Sequence, residues 1–227
     1  MSKSSIVLYA SRTNNTKKVA FEIFKALNPN ARIFEIVSLG REQMEENDLE
    51  KSFFEDDGVL SGEILLCETT LNDLSLTRNE IRSKDSESNS YKLGSAKFMD
   101  LMDSSDNVIL GFWLDKGRIN TESFQLLEES KGKKLAIFGT LGAPTGGERI
   151  KAFMDKLLND IAKKHELLGS FICQGSVDPV LHDIMKKRFG SDDKHKPKGV
   201  VNPDLMPTKE DLALAFKEAQ VWLSKMW

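Results

Sequence analysis

The chain has 227 residues, and at about 150 residues per domain this length predicts one large domain or one domain that carries an insertion. With 40% hydrophobic and 30% charged residues, it can bury a core without a disulfide or a metal. Residues 41–90 hold 14 acidic and 5 basic side chains, although the whole chain has a formal net charge of only -3. The lysines are dispersed rather than gathered in a basic stripe with stacking aromatics, so nucleic-acid binding is disfavoured.

Cysteine usage and the length of the apolar runs indicate the cellular compartment. Cys67 and Cys173 are 106 positions apart and form no CxxC pair, which is typical of thiols that stay reduced. The longest apolar run, residues 108–114, has seven residues, whereas a membrane helix needs about twenty. Residues 6–10 are too few for the apolar core of a secretory signal, so we predict a cytoplasmic protein with no membrane partner.

Short apolar runs alternate with helical patterns along the chain, which predicts the α/β class with parallel strands covered on both faces. Most of these runs lack apolar–polar alternation, as expected for strands buried on both sides. The five strand candidates are residues 6–10, 33–37, 108–113, 135–138 and 167–172. A stripe of Val19, Ile23 and Leu27 predicts the first helix, and a capping box at Thr208 predicts the start of the last. Further helices are expected at residues 95–103, 121–129, 147–164 and 178–188.

Residues 40–94 interrupt this rhythm, because about 55 residues separate the second strand candidate from the next helix, where a handful is usual. We treat them as an acidic insertion in a single domain that spans residues 1–227. Residues 62–70 alternate like a strand, and residues 83–90 are rich in serine and acidic side chains. Two interpretations stay open, a small hairpin inside a mobile lid and plain disorder.

Residues 11–16 join the first strand candidate to its helix, at the carboxyl edge where open α/β sheets bind ligands. Three hydroxyls, two asparagines that tolerate tight turns and the free amides of a helix start together make a phosphate cradle. The other interpretation is an Asn-rich turn with Thr16 as an ordinary helix N-cap. Lys17 and Lys18 oppose the helix dipole unless an anion lies nearby, or they point into solvent. Neither a Walker loop nor a GxGxxG fingerprint is present.

Other chemistries fail on the context of their residues. His165, His182 and His195 do not cluster, and they lie in polar stretches that predict exposure, so we predict no metal site. Cys173 has no neighbouring base in the sequence, which favours a buried thiol over a nucleophile.

The sequence Ser11-Arg-Thr-Asn-Asn-Thr16 resembles the FMN phosphate loop of flavodoxins, usually Ser/Thr-x-Thr-Gly-Asn-Thr before an apolar helix. Asn14 replaces the usual glycine and is the next most tolerant residue where φ is positive. The resemblance covers residues 1–38 and 95–227. In these residues the chain is similar to a flavodoxin-like family that includes stand-alone flavodoxins and flavodoxin-like partners of bacterial reductases, such as those associated with bilirubin reduction. Three later blocks at strand edges extend it: Gly111-Phe-Trp-Leu-Asp-Lys-Gly117, Gly139-Thr-Leu-Gly-Ala-Pro144 and Cys173-Gln-Gly-Ser-Val-Asp-Pro179.

This resemblance implies a flavodoxin-like, doubly wound α/β fold, with a five-stranded parallel sheet in the order 2-1-3-4-5 and a large insertion after strand 2. It implies noncovalent FMN, and we assign no catalytic side chain because the flavin carries the redox chemistry. The first loop would hold the phosphate, and the loops after the third and fourth strands would hold the flavin ring. The expected cofactor-binding residues are Ser11, Arg12, Thr13, Asn14, Asn15, Thr16, Phe112, Trp113, Leu114, Asp115, Lys116, Gly117, Thr140, Leu141, Gly142 and Ala143.

The expected function is electron transfer between redox partner proteins, a reductase and an acceptor. One alternative is an FMN-dependent NAD(P)H or small-molecule reductase, with the insertion over its substrate pocket. The other is a flavin-free scaffold that binds a partner through the acidic insertion. Because the three flavin loops lie outside residues 40–94, we expect the insertion to be dispensable for FMN binding.

Overall fold

The computed structural model describes residues 4–27, 31–39, 63–84, 90–115, 117–189 and 199–226. Its strands are β1 (Ser5–Tyr9), β2 (Ala31–Leu39), β3 (Glu63–Thr69), β4 (Ser90–Lys92), β5 (Asn107–Asp115), β6 (Arg118–Ile119), β7 (Lys134–Leu141) and β8 (Glu166–Gln174). Its helices are α1 (Asn15–Leu27), α2 (Arg78–Lys84), α3 (Ala96–Asp103), α4 (Thr121–Glu129), α5 (Glu148–Ala162), α6 (Pro179–Phe189) and α7 (Lys209–Met226). All five strand candidates and the predicted helices are confirmed, with small differences at their ends.

The five parallel strands lie in the order β2-β1-β5-β7-β8, which confirms the predicted 2-1-3-4-5 topology. Strand β1 lies between β2 and β5, where its Leu8 stands opposite Phe34 of β2 and Leu110 of β5. Every residue of β1 is buried. Continuous apolar runs suit these strands because helices cover both faces of the sheet.

Successive residues of β1 show the two layers. Val7 belongs to a core formed with α1 and α7, whereas Leu8 belongs to a core formed with α3, α4 and α5. Gly169 lets α7 approach β8, because a Cβ there would lie 2.3 Å from the indole nitrogen of Trp222. The predicted capping box at Thr208 is confirmed, since Thr208 and Asp211 exchange backbone-to-side-chain hydrogen bonds of 3.0 and 3.1 Å. No helix in the described ranges is long and apolar enough to cross a bilayer.

The described part of the acidic insertion extends the main sheet. β3 pairs antiparallel with β2, and β4 pairs antiparallel with β3, so both strands lie beyond the β2 edge. Ile64 and Leu66 of β3 are buried in the same core as Leu8. The alternation of residues 62–70 therefore marks a strand of the sheet, and both the lid hairpin and plain disorder are wrong for the residues described. Residues 40–62 and 85–89 lie outside them.

Candidate functional site

A cleft opens at the carboxyl edge of the sheet, among the loops that follow β1, β5, β7 and β8. Open α/β sheets bind their ligands at this edge. The cleft volume is about 290 Å³, close to the lower end of the roughly 300–1,000 Å³ of small-molecule sites. Ten of the predicted site residues line it: Arg12, Thr13, Asn15, Thr16, Trp113, Leu114, Thr140, Leu141, Gly142 and Ala143.

The turn from β1 into α1 is made by Asn14. Its φ is 59°, in the left-handed region that glycine adopts freely and asparagine tolerates better than most residues. The Lys18 amide donates to the Asn14 carbonyl at 3.0 Å, which begins α1. Thr16 therefore lies within the first turn, and its interpretation as an ordinary N-cap is wrong.

Polar side chains of residues 11–16 tie this loop to two other strand ends. The hydroxyls of Thr16 and Thr140 are hydrogen-bonded at 2.9 Å, which joins the loop to β7. Asn15 Nδ2 donates to the Thr13 hydroxyl at 2.6 Å. The same nitrogen donates to the carbonyl of Ser176 at 3.2 Å and to its hydroxyl at 2.8 Å, which joins the loop to the end of β8.

Trp113 and Leu114 form an apolar part of the cleft wall. The Trp113 amide donates to Asn120 Oδ1 at 3.0 Å, and the Asn120 amide donates to the Trp113 carbonyl at 3.1 Å. Asn120 in turn donates to the Glu122 carboxylate at 3.0 Å. This reciprocal pair fixes the backbone at the end of β5, and with it the position from which the indole side chain extends.

Phe112 does not line the cleft. It is 1% exposed and packs in the core, where its ring occupies the space that a Cβ at Gly139 would need. Its neighbour Trp113 lines the cleft instead, because successive residues of a strand point to opposite faces. The structure thus brings only one of the two predicted aromatics to the site.

Five further predicted residues are not among those that line the cleft. Ser11 and Asn14 shape the first loop, and the Ser11 hydroxyl accepts a hydrogen bond of 3.2 Å from the backbone amide of Lys17. Gly117 borders a separate groove between α4 and α5. The side chain of Asp115 and the whole of Lys116 lie outside the described residues.

A fourth wall of the cleft comes from residues that the sequence did not assign to the site. They follow β8, and one of them, Asp178, pairs with Arg12 at 2.6 Å. The signal available was that β8 is parallel to β7, so its end lies at the same edge of the sheet. The residues of this wall are Gly175, Ser176, Val177, Asp178, Leu181, Met185 and Gly199.

Lys17 takes neither orientation that the sequence suggested, because its side chain is fully buried and does not line the cleft. Its ammonium donates to the Leu76 carbonyl and lies 4.0 Å from the Glu35 carboxylate. The Glu35 carboxylate also accepts from the Tyr9 hydroxyl at 3.2 Å. Burial lowers the pKa of Lys17, although the negative charge of Glu35 opposes that shift. Lys17 thus links the start of α1 to the described part of the insertion.

The remaining reactive side chains are inert or isolated. Cys67 and Cys173 are buried and form no disulfide, and burial raises the pKa of Cys173. The prediction of an exposed His165 is wrong, because this residue is buried, and burial lowers its pKa. His195 lies outside the described residues. Within the described ranges, no group of three or more His, Cys, Asp or Glu side chains could hold a metal ion.

The residues of the cleft fit FMN, which combines an anionic phosphate, a chain of hydroxyls and a flat apolar ring. The first amides of α1 have no partners within the helix and favour an anion. Asn15 Oδ1 is buried and has no hydrogen-bond partner among the described residues. A hydroxyl of the ligand would supply the donor that this oxygen needs. Trp113 and Leu114 offer the apolar surface, and among the described residues that line the cleft only Arg12 and Asp178 carry a charge.

Comparison with known proteins adds family evidence. A family model described as "Flavodoxin domain" matches residues 72–212, which is more than half of the chain. The Flavodoxin-like domain-containing protein BilS of Clostridioides difficile (strain CD3) is 40% identical over 92 residues, which is 40% of this chain and 52% of that protein. The match therefore spans about half the length of that relative.

Two solved structures illustrate the structural similarity. A flavoprotein from Lactobacillus acidophilus NCFM, in complex with FMN, is 18% identical, with 75% of this chain and 93% of that chain covered and a TM-score of 0.41. Oxidised Flavodoxin 1 from Bacillus cereus is 11% identical, with 98% of both chains covered and a TM-score of 0.45.

Proposed function

Because this chain belongs to the flavodoxin domain family, we propose that it is an electron carrier that holds FMN noncovalently in the cleft. FMN supplies the redox chemistry when it is bound, and the chain binds, orients and shields it. The observation that carries the proposal is the cleft itself, with a left-handed turn at Asn14 beside one end and Trp113 in the wall.

The residues divide between the two ends of the cofactor. Thr13, Thr16 and the amides at the start of α1 hold the phosphate, where hydroxyl and amide donors suit anionic oxygens. Trp113 lies against the flavin ring and excludes water from it. Asn14 allows the turn between these donors and the end of β1.

Two features of the cleft favour a carrier over a substrate-turning reductase. Among the described residues that line it, Arg12 and Asp178 are the only titratable side chains, and they pair with each other at 2.6 Å. Such a lining offers no free general acid or base. A volume of about 290 Å³ is also small for a flavin and a second organic substrate together.

The partners of such a carrier are a reductase that delivers electrons and an acceptor that takes them. Residues 41–90 hold 14 acidic side chains and only 5 basic ones, which favours partners with basic surfaces. The buried cysteines Cys67 and Cys173, which form no disulfide, support a cytoplasmic location.

The test is a visible absorption titration of the purified protein with FMN, before and after removal of any flavin that copurifies. We expect stoichiometric binding, with a change in the shape of the flavin bands as the ring leaves water. Riboflavin, which lacks the phosphate, should bind far more weakly. A protein that stays colourless and leaves the FMN spectrum unchanged contradicts the proposal and favours the flavin-free scaffold.

A second measurement separates the carrier from the reductase. The FMN-loaded protein, reduced with dithionite, should pass electrons to cytochrome c. The isolated loaded protein should not consume NADH or NADPH, because a cleft of about 290 Å³ leaves little room for a nicotinamide beside a bound flavin. Sustained NADPH oxidation by the isolated protein would instead support the reductase.

A further inference from the structure

Residues 175–185 form a cover over one side of the cleft. Leu181 and Met185 of α6 line it, together with Val177 at the end of the preceding loop. Residues 199–201 return against the same segment, since the Val177 amide donates to the Val200 carbonyl at 2.8 Å. The packing is close at Gly199, where a Cβ would lie 2.4 Å from Val177 Cγ2 and 2.1 Å from the carbonyl oxygen of Gly142. We call residues 175–185 the cleft cover.

Two links fasten the cleft cover to residues 11–16, where the phosphate is proposed to bind. Arg12 Nε lies 2.6 Å from Asp178 Oδ2. Asn15 donates to both the carbonyl and the hydroxyl of Ser176, at 3.2 and 2.8 Å. A Cβ at Gly175 would lie 3.0 Å from the amide nitrogen of Asn15, so the two loops are also in close contact.

Asp178 serves the two elements through different oxygens. Its Oδ1 accepts the Val180 amide at 2.8 Å, and its carbonyl accepts the His182 amide at 2.9 Å, so Asp178 begins α6. Its Oδ2 holds Arg12. The residue that fixes the start of α6 is therefore also attached to the loop at the other end of the cleft.

We propose that Asp178 is a positioning residue that couples residues 11–16 to α6, so that an anion held by the loop tightens the cleft cover over the rest of the ligand. The coupling to a flavin rests on the proposed function, whereas the link between the loop and α6 is a property of the chain alone. The ligand chemistry that engages both ends is a phosphate joined to an apolar ring. A ring without the phosphate fills the cleft but gives the loop no anion to hold.

Amide hydrogen exchange of residues 179–187, followed by mass spectrometry, tests the coupling. Arg12→Gln removes the ion pair and keeps the helix cap, and Asp178→Asn removes the charge and keeps an amide oxygen for the Val180 amide. Asp183→Asn is the matched control, because it makes the same change of charge on an exposed side chain of the same helix. Each protein is measured without ligand, with FMN and with riboflavin, at saturating concentrations.

In the unliganded proteins we expect Arg12→Gln and Asp178→Asn to speed exchange of α6 about threefold. The effect is modest because the pair is partly exposed. The double variant should exchange no faster than either single variant, as two residues that act through one contact require. Asp183→Asn should match the wild type. Equal exchange in the wild type and both single variants overturns the link.

With ligand, FMN should slow exchange of α6 in the wild type about tenfold more than riboflavin does. This difference should vanish in both variants of the pair and persist in Asp183→Asn. A difference that survives in Asp178→Asn overturns the coupling, because a purely structural role of Asp178 would leave it unchanged. If the wild type binds no FMN, the proposed function fails, and the unliganded measurements alone decide whether Asp178 links the loop to α6.

Discussion

At the scale of single residues, the first loop shows how a departure from a sequence pattern can conserve a conformation. Asn14 stands where the flavodoxin pattern has glycine, and its φ of 59° is one that asparagine adopts at small cost. The side chains beside it are fixed by hydrogen bonds before any ligand arrives, as the 2.9 Å contact of Thr16 with Thr140 illustrates. The loop is therefore preorganised, which lowers the ordering cost of binding.

Removal of the loop hydroxyls should weaken FMN binding through the phosphate alone. We expect Thr13→Ala and Thr16→Ala each to lower FMN affinity at least tenfold, because a hydrogen bond to a charged group contributes about 1.5–3 kcal/mol. Riboflavin affinity should change little. Thr145→Ala is the control, since Thr145 is exposed and does not line the cleft. Flavin fluorescence titrations check this, and unchanged FMN affinity in both folded variants contradicts the phosphate assignment.

At the scale of elements, hydrogen bonds and an ion pair hold the described part of the insertion together. Asp73 is 3% exposed and accepts the amide and the hydroxyl of Thr70 at 2.8 and 2.9 Å. Its other oxygen pairs with Lys84 of α2 at 2.5 Å. The turn after β3 is thus tied to the end of α2, and the Leu76 carbonyl between them accepts from Lys17.

Replacement of Asp73 should destabilise the fold in a pH-dependent way. Burial opposes the charged form, yet the bonds from Lys84 and Thr70 outweigh it and hold the pKa of Asp73 below its usual value. Its stabilising contribution is therefore present above about pH 4, the unfolded value, and is lost as the pH falls through the lower folded pKa. Asp73→Asn should cost about 1–3 kcal/mol at pH 7.

Urea unfolding at several pH values checks this expectation. The difference in unfolding free energy between Asp73→Asn and the wild type should shrink as the pH falls from 7 to below 3. Asp103→Asn, which removes an exposed carboxylate, should show no comparable loss at pH 7. A penalty for Asp73→Asn that stays constant with pH contradicts the charged role of Asp73.

The elements that the sequence predicted well are those whose pattern reports burial directly. Apolar runs such as residues 135–138 fit a strand covered on both faces, and β7 is buried over nearly its whole length. Residues 62–70 also had the pattern of a strand, but which edge of the sheet it would join depends on long-range pairing that alternation does not encode. The sequence did not predict the cleft wall after β8 for a related reason, because side chains on α6 reach the cleft only through tertiary packing.

The buried charges were the least predictable part. Lys17 follows a polar loop, and nothing in its sequence neighbourhood distinguishes a solvated lysine from one buried against Glu35. Its partners, Glu35 and Leu76, lie 18 and 59 positions away along the chain. A buried cation requires such partners, and only the assembled sheet brings them together.

At the scale of the whole molecule, the described part of the insertion and the flavin-binding domain share one core. Ile64 and Leu66 of β3 pack in the cluster that contains Leu8 and Leu110. Removal of residues 42–92 would uncover that core and leave the ammonium of Lys17 without the Leu76 carbonyl. The structure therefore argues against the expectation that the insertion is dispensable for FMN binding, and its charge is better tested by substitution than by deletion.

Neutralising acidic residues of the insertion should weaken the salt dependence of electron transfer to a basic partner. Glu42, Glu45, Glu46, Asp48 and Glu50 carry five of the 14 acidic charges of residues 41–90. Acidic surfaces attract basic partners over distances that salt screens, so electron transfer from the reduced, FMN-loaded protein to cytochrome c should slow as ionic strength rises. With the five residues changed to Gln or Asn, the slope of the logarithm of the rate against the square root of ionic strength should fall by about half.

The matched control changes five exposed carboxylates elsewhere, Asp100, Asp103, Glu129, Asp155 and Glu210, to their amides. Both variants have the same net charge, so any difference between them reports where the charge lies rather than how much there is. Stopped-flow measurements over a range of ionic strength give the slopes, and FMN affinity should match the wild type in both variants. If the control flattens the salt dependence as much as the variant of residues 42–50, net charge alone steers the partner. The acidic insertion would then have no special place in docking, because long-range attraction summed over the whole surface would account for the rate.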